Sequence, residues 1–198
     1  MLLAGIILGL VAGLAAGGRL DNLLAIRLRW TLLIFAAVAL RLGVEAALLR
    51  DVAIADQLRR PLLAAAYGLL IVALWANRTR PGIGLALVGT LLNAIAILVN
   101  GGYMPVWEPS LTAAGLNAAD ILSPIHFLLP ADVGPREFLL HAGPLGDLIP
   151  VDLPLVRNVL SIGDVLLTSG LAFFVFGGLL REPREQRQRD QPQQHRQR

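Results

Sequence analysis

The chain has 198 residues, a length that suggests one domain. Hydrophobic residues make up 56% of it and charged residues 16%, against roughly 45–50% and about 25% in soluble domains, so it reads as an integral membrane protein. No cysteine is present and all seventeen basic residues are arginine, which excludes disulfides, thiolate metal sites, cysteine nucleophiles and lysine Schiff bases; the net charge is only +3.

A spanning helix needs roughly 20 mainly apolar residues. Residues 1–18 are the first candidate; they lack the basic start and the cleavage site of a secretory signal, so the segment is expected to be retained. Gly5, Gly9, Gly13 and Gly17 recur every four residues, which puts them on one helix face where another backbone can approach closely. Residues 30–49 form the second span, opened by the interfacial Trp30, and residues 61–77 the third, with Trp75 near its far end. Residues 81–99 form the fourth, begun by Pro81. Asn100, Gly101, Gly102 and Pro105 then stop that helix: glycine suits a left-handed helix end, and proline prevents resumption. Residues 101–156 are rich in Pro and Gly and hold no run long enough to span, and residues 157–180 make the fifth span. Residues 181–198 are a Gln-rich tail with six arginines and three acids, expected to be disordered and solvated.

The fold class read from this pattern is an all-α integral membrane protein, a bundle of about five transmembrane helices with a long loop before the last. Eleven arginines flank one side of the five spans and about five the other. That puts the tail in the cytoplasm, and the N-terminus and the long loop outside, in the cell membrane. The basic residues form no nucleic-acid patch, so membrane lipid is the expected partner and nucleic acid is not. The glycine face of the first span offers a second expected contact, a membrane-protein partner.

Ionisable groups inside spans are costly and point to function. Arg41 and Glu45, four apart, share a face of the second span, either as a packing ion pair or as the wall of a polar cavity. Asn93 and Asn100, seven apart, share a face of the fourth, with Thr90 close to it. Asp164 lies in SIGDVLLTSG, several residues inside the fifth span, with Ser161 and Thr168 on its face and no basic residue one turn away. Desolvation would push such a carboxylate toward its neutral form. Asp147 in LGDLIPVDLP falls on the same side of the membrane; two carboxyls sharing a site can divide acid and base roles. Neither His126 nor His141 has a second ligand at metal-site spacing, so no metal and no cofactor is expected. Motifs of soluble phosphoryl-transfer enzymes and α/β-hydrolases are missing.

NGGYMPV, LGDLIPV and NVLSIGDVLLTSG, in this order, together with an opening helix and the segment RLRW, resemble a bacterial multi-pass family, domain of unknown function 5317, over about residues 1–180. LSIGDVLLTSG is also similar to the last helix of lipoprotein signal peptidases, a resemblance that places Asp164 and Asp147 on that family's two catalytic aspartates, Ser161 on an asparagine, and Asn100 with Gly101 and Gly102 on a polar wall. The chain departs from that family in lacking a Gly-Asn-x-x-Asp-Arg motif and in placing a loop, not two spans, between Asn100 and Asp164. Three readings follow. The first is a polar site at the extracytoplasmic boundary, made of Asp147, Asp164, Asn100, Gly101, Gly102, Ser161, Asn93, Arg41 and Glu45, that binds a lipid or small molecule. The second is an aspartyl hydrolase using Asp147 and Asp164. The third is a structural subunit or assembly factor of a membrane complex.

Overall fold

The computed structural model describes residues 2–120, 124–153 and 156–181; the basic tail beyond residue 181 lies outside the described residues. Five long apolar helices dominate: α1 (Leu2–Ala15), α3 (Thr31–Leu48), α5 (Arg59–Ala76), α6 (Ile83–Val99) and α9 (Ile162–Leu180). Three of them, α3, α5 and α9, are long and apolar enough to cross a membrane, whereas α1 and α6 are shorter. Short helices α2 (Leu20–Leu24) and α4 (Ala53–Gln57) sit in the first two connections.

The loop region is not featureless. It holds β1 (Met104–Trp107), α7 (Glu108–Ala113), β2 (His126–Leu129), α8 (Pro135–Leu140), β3 (Ile149–Leu153) and β4 (Val156–Leu160). Strands β1 and β2 pair in parallel, with Met104 opposite His126, and β3 and β4 pair antiparallel, with Ile149 opposite Leu160. This corrects the expected fifth span. Residues 157–160 belong to a strand, and the helix starts only at Ile162. A run such as VRNVL is apolar enough to extend a hydropathy window, but its branched residues suit a pleated strand. The first span is also shorter than expected: α1 stops at Ala15, and Gly17 follows at φ 86°. Pro81 precedes α6 rather than opening it, because Gly82, at φ 75°, is the residue that turns the chain into the helix.

Neighbouring helices pack in the order α1, α9, α6, α5, α3. Glycine sets the first two contacts. A Cβ on Gly5 would lie 2.5 Å from the Thr168 carbonyl oxygen, and one on Gly9 would lie 2.4 Å from that of Ala172. A Cβ on Gly13 would strike the Leu179 side chain. Three glycines of the α1 face are therefore taken up by α9 of the same chain. Between α6 and α9 the seam runs through Gly89 against Gly163 and through Gly170 against Ala86, with carbonyls and amides where side chains would stand.

One core cluster joins α3, α5, α6 and the loop, with Val44, Leu63, Ala94, Ile97, Met104 and Ile125 buried together. The loop adds its own smaller core of Val106, Leu111, Ala114 and Val159. Outer faces stay apolar and uncovered: Leu32 is 83% exposed and Phe35 67%.

The seam makes a clear demand on Gly89, whose Cβ would sit 2.4 Å from the Gly163 carbonyl oxygen, while Gly84 on the same helix faces open space. Gly89→Leu should destabilise the protein in detergent by roughly 1–3 kcal/mol through overpacking. Gly84→Ala should be neutral or stabilising by up to about 1 kcal/mol. Thermal melts of the two variants check this; equal melting temperatures would show that the seam is not set by backbone approach.

Candidate functional site

The chemistry-bearing side chains gather at the loop-facing end of the helices, where α3 and α6 finish and α5 and α9 begin. The capping of α9 organises the first group. Ser161 is the N-cap: its hydroxyl accepts the Asp164 backbone N–H at 2.9 Å, and the Asp164 carboxylate accepts the Ser161 N–H at 3.5 Å. This is a reciprocal cap that satisfies two of the helix's open donors. Asn93, reaching across from α6, donates to Asp164 at 2.8 Å and accepts from the Ser161 hydroxyl at 2.9 Å. Gly163 makes room for it, since a Cβ there would stand 1.9 Å from Asn93 Oδ1.

Asp164 therefore differs from the expectation. It sits in the first turn of α9, not several residues inside a span, and its carboxylate has amide and backbone partners. Negative charge is favoured at that position because the helix N-terminus is the positive end of its dipole.

Asp147 arrives from the loop. Its N–H donates to the Pro105 carbonyl at 2.8 Å and its own carbonyl accepts from the Trp107 N–H at 3.1 Å, so it lies alongside β1 as a single bridge to Val106. That places the carboxyl in a nearly closed environment, 6% exposed, with His126 Nε2 3.6 Å from Oδ2. Burial, and secondarily the nearby charge of Asp164, push its pKa up to about 8. At neutral pH Asp147 is thus a protonated acid within electrostatic reach of Asp164.

Arg41 and Tyr67 complete the group. Arg41 Nη1 donates to the Tyr67 hydroxyl at 2.7 Å, a partner on the neighbouring helix. Glu45 is half-buried one turn further on α3. The Tyr67 side chain is buried, with Arg41 as its hydrogen-bond partner and Asp164 and Asp147 at electrostatic range. Sequence reasoning missed it; a lone tyrosine in the middle of an apolar span was the available signal.

Asn100 has a different task. Its amide nitrogen donates to its own helix at Ala96 and to the His141 carbonyl, at 2.7 and 2.8 Å, and its oxygen meets His141 Nδ1 at 2.8 Å. It is a clamp that ties the loop to the end of α6. Gly101 and Gly102 both take left-handed conformations, with φ 67° and 101°. Gly102 packs directly on Arg59, whose side chain lies 2.8 Å from where a Cβ would be. Arg59 also went unnoticed in the sequence. It is 7% exposed, ion-paired with Asp56 and stacked 3.9 Å from the centre of the Tyr103 ring. Among the described residues no three His, Asp or Glu side chains converge as a metal site would require.

All the polar residues of this group fall within residues 25–176, the segment that matches the model described as a family of unknown function, DUF5317. The chain belongs to the DUF5317 family. The match runs from before α3 to late in α9, so it takes in the whole polar group and leaves out α1. A relative is an uncharacterized protein of Thermotoga maritima, 38% identical over 107 residues; the match spans 54% of this chain and 56% of that protein's length. No solved structure matches the chain.

The state of Asp147 has a measurable consequence. Unfolded, an aspartate titrates near about 4; folded, this one titrates at about 8. Between those values the folded protein holds a proton that the unfolded chain releases, so raising the pH withdraws stability until about pH 8, where the loss levels off. Asp147→Asn should remove that slope from the pH dependence of melting. A variant that keeps the wild-type slope would show that the carboxyl is not held protonated.

Proposed function

We propose that the five apolar helices all cross the membrane, with the loop outside and the basic tail in the cytoplasm. In this reading the group around Tyr67 is a binding site for the polar head of a lipid or small amphiphile at the outer membrane boundary. The observation that supports the reading is the hydrogen bond from Arg41 to a buried tyrosine hydroxyl, with the carboxyls of Asp164 and Asp147 at electrostatic range. Capping α9 needs only Ser161, Asp164 and Asn93. A guanidinium on α3 and a carboxylic acid delivered by the loop are not needed for that purpose, and each is costly to take out of water. Together with Asp164 they offer a guanidinium and two carboxyl groups, which suits a head group with both donors and acceptors.

A second reading, a membrane-embedded aspartyl hydrolase resembling lipoprotein signal peptidase, is favoured by one feature. The two carboxyls sit in different surroundings, Asp147 buried and held protonated at neutral pH and Asp164 capping a helix, and paired carboxylates that divide acid and base roles need such a difference.

Native mass spectrometry of protein extracted from membranes in mild detergent separates these readings. The binding reading predicts a retained molecule of defined mass, lost in both Arg41→Gln and Asp147→Asn while the circular dichroism stays helical. Retention of the same molecule by both variants would contradict it. The hydrolase reading predicts instead that Asp164→Asn accumulates an uncleaved substrate on the protein that the wild type does not carry.

A further inference from the structure

The opposite end of the helices carries a second feature. A groove of about 570 Å³ opens over the last two turns of α5, with α6 on one side and the start of α3 on the other. Ile71, Val72, Leu87 and Leu91 line it, and at its mouth stand two tryptophans, Trp30 and Trp75, and two arginines, Arg29 and Arg78. The volume falls within the roughly 300–1,000 Å³ of ordinary ligand sites.

The mouth is built rather than incidental. Asn77, 3% exposed, accepts the Arg29 N–H at 2.9 Å and donates to the Arg29 carbonyl at 2.9 Å and to the Ala73 carbonyl at 2.8 Å. A buried amide therefore fixes the backbone of Arg29 beside the residue that precedes Arg78. Arg80 adds a second stitch, donating to the Arg27 carbonyl at 2.7 Å. Arg78 is held over the Trp75 ring, 4.4 Å from its centre, and donates to the Trp75 carbonyl. Trp30 takes a left-handed backbone, φ 57°, an outlier for a bulky side chain; that conformation places its indole on the groove.

Charge decides what such a groove suits. Four arginines, at 27, 29, 78 and 80, meet in these two connections, and among the described residues none of them is ion-paired with a carboxylate. Two guanidiniums above an apolar channel and flanked by indoles match a head-group phosphate with an acyl chain below it. The side concerned is the arginine-rich one, which faces the leaflet where anionic lipids concentrate.

We propose that this groove binds one anionic phospholipid, its phosphate held between Arg29 and Arg78 and an acyl chain lying along Ile71, Leu87 and Leu91. The proposal rests on the reading that the chain spans a membrane, but not on the Tyr67 group.

Tryptophan quenching tests it. The full chain carrying Trp107→Phe, which leaves only Trp30 and Trp75, is placed in phosphatidylcholine vesicles containing a minor fraction of lipid brominated on its acyl chain. Brominated phosphatidylglycerol should quench severalfold more than the same fraction of brominated phosphatidylcholine. Adding Arg29→Gln with Arg78→Gln should bring the ratio to unity, while Arg136→Gln, in α8 of the loop, should leave it unchanged. Equal quenching by the two lipids before those substitutions, or an undiminished ratio after them, would overturn the groove proposal alone. Absence of quenching by either lipid would overturn the membrane reading along with it.

Discussion

Asn93 lies where a side chain at position 163 would have to be, and the structure of the polar end depends on that contact. Because Gly163 has no Cβ, the Asn93 amide reaches both the Ser161 hydroxyl and the Asp164 carboxylate. The glycine seam below it, at Gly89 and Gly170, brings α6 and α9 close enough for the reach. The start of α9, the direction of Asp164 and the point where β4 hands over to the helix all follow from one buried amide. A polar residue there is affordable because each of its hydrogen-bonding atoms has a partner.

The loop is then set down on this platform by polar and backbone ties. Asn100 clamps His141, and the backbone of Asp147 exchanges hydrogen bonds with β1 on both sides. Ser110 adds a third tie, donating to the Leu148 carbonyl at 2.6 Å. These ties hold the Asp147 side chain in the closed space beside His126 and within reach of Asp164. Two chemically identical groups thus come to differ. One lies at the positive end of a helix with hydrogen-bond donors around it, and the other lies in a poorly solvated corner.

Much of the helical framework was legible. Long apolar runs, the Gly-Gly-Pro stop after Asn100 and the interfacial tryptophans set four of the helices to within a few residues of their ends, because burial and backbone freedom are local properties. The start of α9 was not, since hydropathy does not distinguish a β-branched strand from a helix. The spacing Ser161-x-x-Asp164 is a capping signature that carried the correct boundary and went unused. The pairings of the site were hidden for a different reason. Arg41 with Tyr67, Asn93 with Asp164, and Arg59 with Tyr103 are contacts between separate segments, so no spacing along the chain announces them. The glycine face of α1 was visible as a packing face, but its occupant, α9 of the same chain, was not. The strands and short helices of the loop were hidden too, since each is only a few residues long and rests on tertiary partners.

Placement of the Asp147 carboxyl within electrostatic reach of Asp164 is the central claim, and a double-mutant cycle measures it directly. Unfolding free energies of the wild type, Asp147→Asn, Asp164→Asn and the double variant yield a coupling term free of the separate cost of losing the α9 cap. With the acid titrating at about 8, the coupling should be small in mildly acidic solution, where Asp147 is neutral. It should grow as the pH passes that value and the two charges begin to repel. Additive effects at every pH would mean that the two carboxyls do not sense each other, and the site as described would not exist.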